Sequence, residues 1–203
     1  MSPEGAVPAR RRWRDRSVTI AAGLLVGVVA AVAAPGRLAA AGPAAQTAAA
    51  GPVLTARTSH LTVQGAASVA TVAPGARLSL SIEVTPRRGM HVYAPGKHDY
   101  QVVRFVLDSR PWLTSQPLKY PPSEIYHFVP LDERVETYIK PFTLVQDLAV
   151  PGTAEARKAL AGQKSVTVSG TLEYQACDDK VCYAPTKVPL SFTLEVTAPA
   201  GGR

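Results

Sequence analysis

Cysteine is scarce in this sequence, because Cys177 and Cys182 are the only two among 203 residues. An even number of cysteines favours a disulfide where a chain is exported. The four histidines are scattered, and no spacing of cysteine and histidine matches a zinc site. The sequence therefore predicts no metal and no cofactor, although a soft copper(I) site made of both cysteines and one histidine remains an alternative.

The sequence also lacks the motifs of a hydrolase. It contains no Gly-x-Ser-x-Gly motif and no plausible order of residues for a catalytic triad. The neighbouring carboxylates Asp132 and Glu133 fall in a predicted loop, where we interpret them as solvated charges. Hydrolytic chemistry is therefore not predicted.

Excess positive charge is largely missing from the body of the chain. The formal net charge is +7, but six of the 22 Lys and Arg lie within the first 37 residues. The remaining 16 basic residues face 13 acidic ones, which leaves a net charge of about +3. Nucleic-acid binding requires basic residues clustered on a folded face, so no nucleic-acid partner is predicted.

Residues 1–41 are predicted to be a signal peptide or a membrane anchor. Five arginines between Arg10 and Arg16 precede an uncharged apolar run at 17–34, and small residues occupy positions 39–41. This order is typical of a secretory signal with its cleavage site. The apolar run is also just long enough to span a bilayer, so a retained anchor stays open. Either way, the body is predicted to be periplasmic or otherwise extracytoplasmic.

The rest of the chain is predicted to be one β domain at 53–198, between an Ala/Pro/Gly linker at 42–52 and a tail at 199–203. Apolar and polar residues alternate with the period of a strand, most regularly at 77–85. Further strands are predicted at 101–107, 140–150, 165–175 and 188–196, with shorter ones at 54–56, 61–64 and 91–93. Many short strands separated by Gly and Pro turns predict an all-β, antiparallel sandwich.

Two segments of the domain differ from this pattern. Residues 154–160 are the one predicted helix, which is a turn or two long. Residues 108–138 contain five prolines and are predicted to be irregular. An irregular segment of this length in a compact domain indicates either a functional loop or an unrecognised strand.

The two cysteines flank a predicted turn between the last two long strands. Asp178-Asp179-Lys180 favours a turn because Asp side chains hydrogen-bond to nearby backbone. Antiparallel strands joined here would place the cysteines opposite each other, within reach of a disulfide. A bridge closing about six residues stabilises a fold by only roughly 2 kcal/mol, and exposed short-loop disulfides tend to be labile. A redox role is favoured, and a structural bridge remains open.

The charges beside the cysteines predict a passive disulfide. Carboxylates disfavour a nearby thiolate and a cation favours it, so Asp178 and Asp179 oppose Lys180. We therefore expect a disulfide that is attacked by a partner's thiolate and not a self-activated nucleophile.

The segment around the cysteines resembles the C-terminal signature of the DsbD N-terminal domain family. It reads Tyr174-Gln-Ala-Cys-Asp-Asp-Lys-Val-Cys-Tyr-Ala-Pro-Thr-Lys-Val-Pro-Leu-Ser-Phe192. Weaker resemblance extends over 53–197, through Gly-Met-His-Val-Tyr at 89–93, Lys-Tyr-Pro-Pro at 119–122 and a tyrosine-containing strand before Pro141. The resemblance implies an immunoglobulin-like β-sandwich.

The resemblance also implies a function in thiol–disulfide exchange. Such a domain receives electrons from a thioredoxin-like protein and reduces periplasmic thiol–disulfide proteins, with a place in cytochrome c biogenesis. It implies that Cys182 forms mixed disulfides with partners and that Cys177 resolves them. It further implies aromatic residues that shield the disulfide. Candidates are Tyr126, His127 and Phe128 in a cap at 123–138, together with Tyr93; ordinary packing is the alternative for these side chains.

The chain departs from the family pattern in three respects. Four residues separate its cysteines where several members have five, and His91 stands where an aromatic residue is expected. Full-length members continue into a membrane electron channel and a thioredoxin domain, whereas this sequence ends at Arg203, so we expect a separate membrane electron donor. The alternative from another class is a non-catalytic immunoglobulin-like module that binds protein and carries a structural disulfide.

Overall fold

A computed structural model describes residues 51–129 and 132–198. The predicted signal or anchor at 1–41, with its apolar run at 17–34, lies outside the described residues, as do most of the linker at 42–52 and the tail at 199–203. Within 51–129 and 132–198, no helix is long and apolar enough to cross a membrane.

The described part of the chain contains thirteen strands and one helix. In chain order the elements are β1 (Val53–Arg57), β2 (Leu61–Ala67), β3 (Thr71–Val72), β4 (Arg77–Pro86), β5 (His91–Tyr93), β6 (Arg104–Leu107), β7 (Thr114–Ser115), β8 (Glu124–Phe128), β9 (Glu133–Tyr138), β10 (Phe142–Ala149), α1 (Ala154–Leu160), β11 (Ser165–Tyr174), β12 (Ala176–Cys177) and β13 (Thr186–Val196).

These strands form three sheets. The strand order is β1-β2-β4-β10-β7 in the first sheet, β3-β13-β11-β6 in the second and β12-β5-β9-β8 in the third. The paired strands run antiparallel, apart from the short parallel pairing of β3 with β13. The prediction of an all-β, antiparallel immunoglobulin-like sandwich is confirmed.

The main core lies between the first two sheets and follows from the alternation in the sequence. On β4, Leu80 and Ile82 are fully buried, and Phe192 on β13 is buried from the opposite sheet. The sheets approach closely at Gly65, where an added Cβ atom would lie 2.8 Å from Cζ of Phe192. A larger residue at position 65 would require the Phe192 ring to shift.

Helix α1 occupies the predicted range, 154–160. Thr153 caps its N-terminus by accepting a hydrogen bond from the backbone N–H of Ala156. Ala156 and Leu160 are buried against the main core, which explains why so short a helix is stable.

The prediction that residues 108–138 are irregular is wrong, because three strands lie in this segment. Strands β8 and β9 pair antiparallel as a hairpin, from Glu124 opposite Thr137 to Phe128 opposite Glu133. The alternation is hard to recognise in β8 because the apolar Ile125 lies on its exposed face, where this residue is 58% exposed. Residues 130 and 131, between these strands, lie outside the described ranges.

The third sheet positions the cysteines. Strands β11 and β13 stay paired as far as Tyr174 and Thr186, and β12 then pairs with β5 in the third sheet. Successive residues of these short strands face opposite sides of the sheet. Val92 and Ala176 belong to the main core, while Tyr93 and Cys177 form a separate small cluster with Val135.

Candidate redox site

Cys177 and Cys182 form a disulfide across the mouth of a hairpin. The two residues lie directly opposite each other, with their Cα atoms 4.1 Å apart. Backbone hydrogen bonds cross the hairpin on either side of the pair, donated by Asp178 N (3.0 Å) and Tyr183 N (2.9 Å). The cysteines therefore occupy a non-hydrogen-bonded pair, where facing side chains approach most closely.

Asp178 holds the turn between the cysteines together. Its Oδ1 accepts hydrogen bonds from the backbone N–H groups of Lys180 (2.8 Å) and Val181 (2.7 Å), and its Oδ2 accepts one from the Tyr183 hydroxyl (2.9 Å). These bonds lower the pKa of Asp178, because each stabilises the carboxylate. The geometry is the side-chain-capped turn that the sequence predicts.

The two sulfur-bearing residues differ in exposure. Cys177 lies in β12 beside β5 and is 1% exposed, whereas Cys182 is an exposed residue. Val181, which precedes it, is 52% exposed. Cys182 is therefore the more exposed residue of the disulfide, and Cys177 is enclosed by protein.

Tyr93 contacts both sulfur atoms with its hydroxyl group. Its oxygen lies 3.1 Å from Sγ of Cys177 and 3.4 Å from Sγ of Cys182. A disulfide carries no proton, so the hydroxyl is the donor. Burial raises the pKa of Tyr93 above its ordinary value and keeps this hydroxyl protonated. The arrangement provides a hydrogen-bond donor for a thiolate formed at either sulfur.

Tyr93 is held in place by a second tyrosine. Its ring stacks on that of Tyr100, with centroids 4.1 Å apart and planes inclined by 4°. The Tyr100 hydroxyl donates a 2.7 Å hydrogen bond to Oε2 of Glu133, which raises the pKa of Tyr100. The sequence predicts neither Tyr100 nor Glu133 as a site residue, and the interpretation of Glu133 as a solvated charge in a loop is wrong, because Glu133 begins β9 and accepts this hydrogen bond. Tyr100 lies outside any strand, so no periodicity could have linked it to Tyr93.

His91 is the direct neighbour of Cys177 on the adjacent strand. It is 4% exposed, and its ring lies 4.4 Å from that of Tyr126 and 5.7 Å from that of Tyr93. Burial lowers the pKa of His91, and the nearby carboxylates of Asp179 and Asp178 partly oppose this. The imidazole therefore fills the place where an aromatic ring was expected.

Two of the three predicted cap residues reach the site. Tyr126 and Phe128 line the same pocket as the disulfide. The Tyr126 hydroxyl donates a 2.6 Å hydrogen bond to Oδ1 of Asp179, which raises the pKa of Tyr126 to about 12. His127 does not line this pocket; its Nε2 lies 2.7 Å from Oδ1 of Asp132, whose side chain is 87% exposed.

The pocket itself is small, and five of its twelve lining residues carry an aromatic ring. It encloses about 130 Å³ and is lined by His91, Tyr93, Tyr100, Tyr126, Phe128, Glu133, Val135, Cys177, Asp178, Lys180, Val181 and Cys182. Across the two described ranges, no group of three or more His, Cys, Asp and Glu is placed to hold a metal ion. The chemistry that this pocket offers is that of the two sulfurs and the hydroxyl, carboxylate and imidazole groups around them.

Comparison with known proteins identifies the family of this chain. A family model described as the N-terminal part of the thiol:disulfide interchange protein DsbD matches residues 58–193. A search of curated proteins finds no match. The reduced N-terminal domain of DsbD from Neisseria meningitidis is 17% identical to this chain and has a TM-score of 0.39, covering 62% of this chain and 82% of that one. By the family match, which spans most of its length, the chain belongs to the DsbD N-terminal domain family.

Proposed function

We propose that this protein relays electrons by thiol–disulfide exchange, accepting them from a thioredoxin-like donor and passing them to oxidised protein partners. The observation that carries the proposal is the unequal exposure of the two linked cysteines, combined with the Tyr93 hydroxyl within 3.4 Å of both sulfurs. A purely structural bridge requires neither an accessible sulfur nor a donor for a thiolate.

The exchange proceeds in two balanced steps. A thiolate of the donor attacks Sγ of Cys182, forms a mixed disulfide and breaks the bond to Cys177, which leaves as a thiolate with the electron pair. The Tyr93 hydroxyl stabilises this thiolate through a hydrogen bond. The second thiol of the donor then attacks the mixed disulfide and releases Cys182. Two electrons and two protons pass to the protein, and the donor becomes a disulfide.

Delivery to an acceptor follows the same steps in reverse. The exposed Cys182 attacks the acceptor's disulfide, and Cys177 then resolves the mixed disulfide and restores the Cys177–Cys182 bond. Tyr126 and Phe128 shield the disulfide between encounters, because they line the pocket that both cysteines share.

The site of action that we propose is the periplasm or another extracytoplasmic compartment. The basic and apolar pattern at 1–41 supports export, with either a cleaved signal or an anchor at 17–34. A separate membrane protein would then supply the electrons. Thiol–disulfide proteins, including those of cytochrome c biogenesis, are the expected acceptors.

The reduction potential of the disulfide tests the proposal. We would equilibrate the purified full chain in graded thiol–disulfide buffers and quantify the reduced fraction by alkylation. A relay should have a potential between about −270 and −180 mV, whereas a structural bridge should lie below about −300 mV. A bond that resists reduction until the domain unfolds would contradict the proposal and favour a binding module with a structural disulfide.

A matched pair of variants separates the roles of the two cysteines. In Cys177→Ala, the remaining Cys182 should form a stable mixed disulfide with a thioredoxin-like protein. In Cys182→Ala, the remaining Cys177 should react far more slowly, because it is 1% exposed. Equal trapping by both variants would contradict the assigned roles.

A further inference from the structure

His91 on β5, Cys177 on β12 and Cys182, which forms an isolated antiparallel bridge with Cys177, lie in one row. Cys182 lies opposite Cys177, and Cys177 lies opposite His91. Residues directly opposite in antiparallel strands project to the same face, with Cβ atoms about 4.5–5.5 Å apart. The imidazole is therefore beside the buried sulfur of the pair, on the side away from the exposed one.

Several ionisable groups lie near this imidazole or line the same pocket. Tyr93 belongs to the same strand, and the others come from the strands and turns packed against it. By element they are Tyr126 on β8, Glu133 on β9, Cys177 on β12, Asp178, Asp179 and Lys180 in the turn, and Tyr100 before β6. Carboxylates outnumber ammonium groups here, so a thiolate formed in the pocket meets mainly like charge.

Cys177 becomes negatively charged during the proposed exchange, and its buried surroundings disfavour a negative charge. The disulfide is neutral, and burial favours a neutral His91 beside it. When the bond breaks, Cys177 becomes a thiolate at a site that is 1% exposed. A buried charge is costly unless an opposite charge pairs with it. The Tyr93 hydroxyl supplies a hydrogen bond but no positive charge.

We propose that His91 takes up a proton from solvent as Cys177 becomes a thiolate, and that the resulting imidazolium stabilises this thiolate until the second exchange step. The inference rests on the exchange function proposed for the disulfide. After the second step the same proton neutralises Cys177, and a further proton neutralises Cys182. Oxidation of the protein returns both protons to solvent, so no additional oxidant or reductant is needed.

This role explains what a histidine adds at this position. An aromatic ring would fill the same space against Tyr126 but could not become positively charged. The proposal therefore predicts that His91→Phe preserves the packing and removes only the proton-dependent stabilisation of Cys177.

The test is the pH dependence of disulfide opening in the full chain. The rate at which a water-soluble phosphine reduces the oxidised protein is measured between pH 5 and 8. The rate at which the same phosphine reduces a small disulfide is measured at each pH, and dividing by it corrects for protonation of the phosphine. A good leaving thiol has a low pKa, and a neighbouring opposite charge shifts a pKa by about one to three units. We therefore expect the corrected rate to rise about tenfold as pH falls, and to stay flat in His91→Phe.

His98→Phe is the matched control. The His98 ring lies 5.3 Å from that of Tyr93 but does not line the pocket of the disulfide. This variant should keep the pH profile of the unchanged protein. Should His91→Phe fail to fold, His91→Gln removes the ionisable group with a smaller side chain and should give the same flat profile.

A second measurement reports on the charge directly. In Cys182→Ala, the absorbance of the Cys177 thiolate gives the pKa of that thiol, which the additional change His91→Phe should raise. An unchanged pH profile in His91→Phe and His91→Gln, or an unchanged thiol pKa, overturns the role of His91 while the relay stands. A disulfide that the phosphine opens only in unfolded protein overturns the relay, and the role of His91 with it.

Discussion

The main core and the redox site of this protein are built from different kinds of residues. The core lies between strands of up to eleven residues and is mostly aliphatic, with regular alternation. The site lies on strands of two to six residues and consists of two sulfurs, tyrosines, a histidine and carboxylates. Stability is concentrated in the first region and specific polar contacts in the second.

The third sheet joins these two regions. One of its faces packs against the main core, and the other face forms part of the redox site. Val92 and Ala176 pack into the main core, while the alternate residues His91, Tyr93 and Cys177 face the site. Strands this short have little stability of their own, so they depend on the core for position. The core should therefore control whether the protein folds, and the site should control how the disulfide reacts.

The largest expected effect comes from Phe192→Ala in the core. Phe192 is fully buried and lies against Gly65, so its truncation should lower the free energy of unfolding by about 3–5 kcal/mol. Urea denaturation measures this loss. The reduction potential of the remaining folded protein should not change. A shift in that potential as large as the stability loss would show that the two regions are not separable.

Tyr93→Phe should have the opposite profile, with a clear effect on reactivity and a small one on stability. It removes the hydroxyl that lies 3.1 Å from Sγ of Cys177 but keeps the ring that stacks on Tyr100. Losing a hydrogen bond to a forming thiolate should slow reduction about tenfold, equivalent to about 1.4 kcal/mol. Stopped-flow reduction with dithiothreitol measures the rate.

The control for Tyr93→Phe is a second tyrosine of the same pocket. Tyr126→Phe removes a hydroxyl that bonds to Asp179 and touches neither sulfur. It should slow reduction much less than Tyr93→Phe does. Equal effects would indicate that any polar change in the pocket alters the rate.

The same contrast decides how much of the structure the sequence could predict. The long strands and α1 follow from alternation and from small, apolar and capping residues, and the structure places them close to the predicted ranges. The cysteine turn was predictable because Asp178 and its neighbours determine it locally. Each of these features depends on residues close together in the sequence.

The remainder of the site depends on residues that are distant in sequence. Tyr93 approaches Cys177 across 84 positions, and Tyr100 bonds to Glu133 across 33. His127 was expected beside Tyr126 and Phe128, yet it bonds to Asp132, because neighbours on a strand point to opposite faces. The hairpin of β8 and β9 was not predicted, so this alternation could not be applied to the cap.

Acidification should destabilise the oxidised protein through His91. Its folded pKa lies below the ordinary value of 6.5 because the ring is buried. The unfolded chain therefore binds more protons in this range, and stability falls as pH drops from 6.5 through the folded pKa. Urea unfolding between pH 7.5 and 5 gives the free energy of unfolding as a function of pH. The difference in slope between the unchanged protein and His91→Phe is the contribution of His91. Identical slopes in the two proteins would show that burial of His91 does not make the stability of the fold depend on pH.

Asp178→Ala should have the smallest and most local effect, confined to the turn. It removes the acceptor of the Lys180 and Val181 amide protons, which should then exchange faster with solvent, while amides of β4 keep their protection. Asp178→Asn retains a side-chain oxygen and should restore much of the protection. Because hydrogen bonds lower the pKa of Asp178, the same protection should weaken as pH falls from 3.8 through the folded pKa and the carboxylate is protonated. Loss of protection in β4 with Asp178→Ala would instead mean that the turn and the main core unfold as one unit.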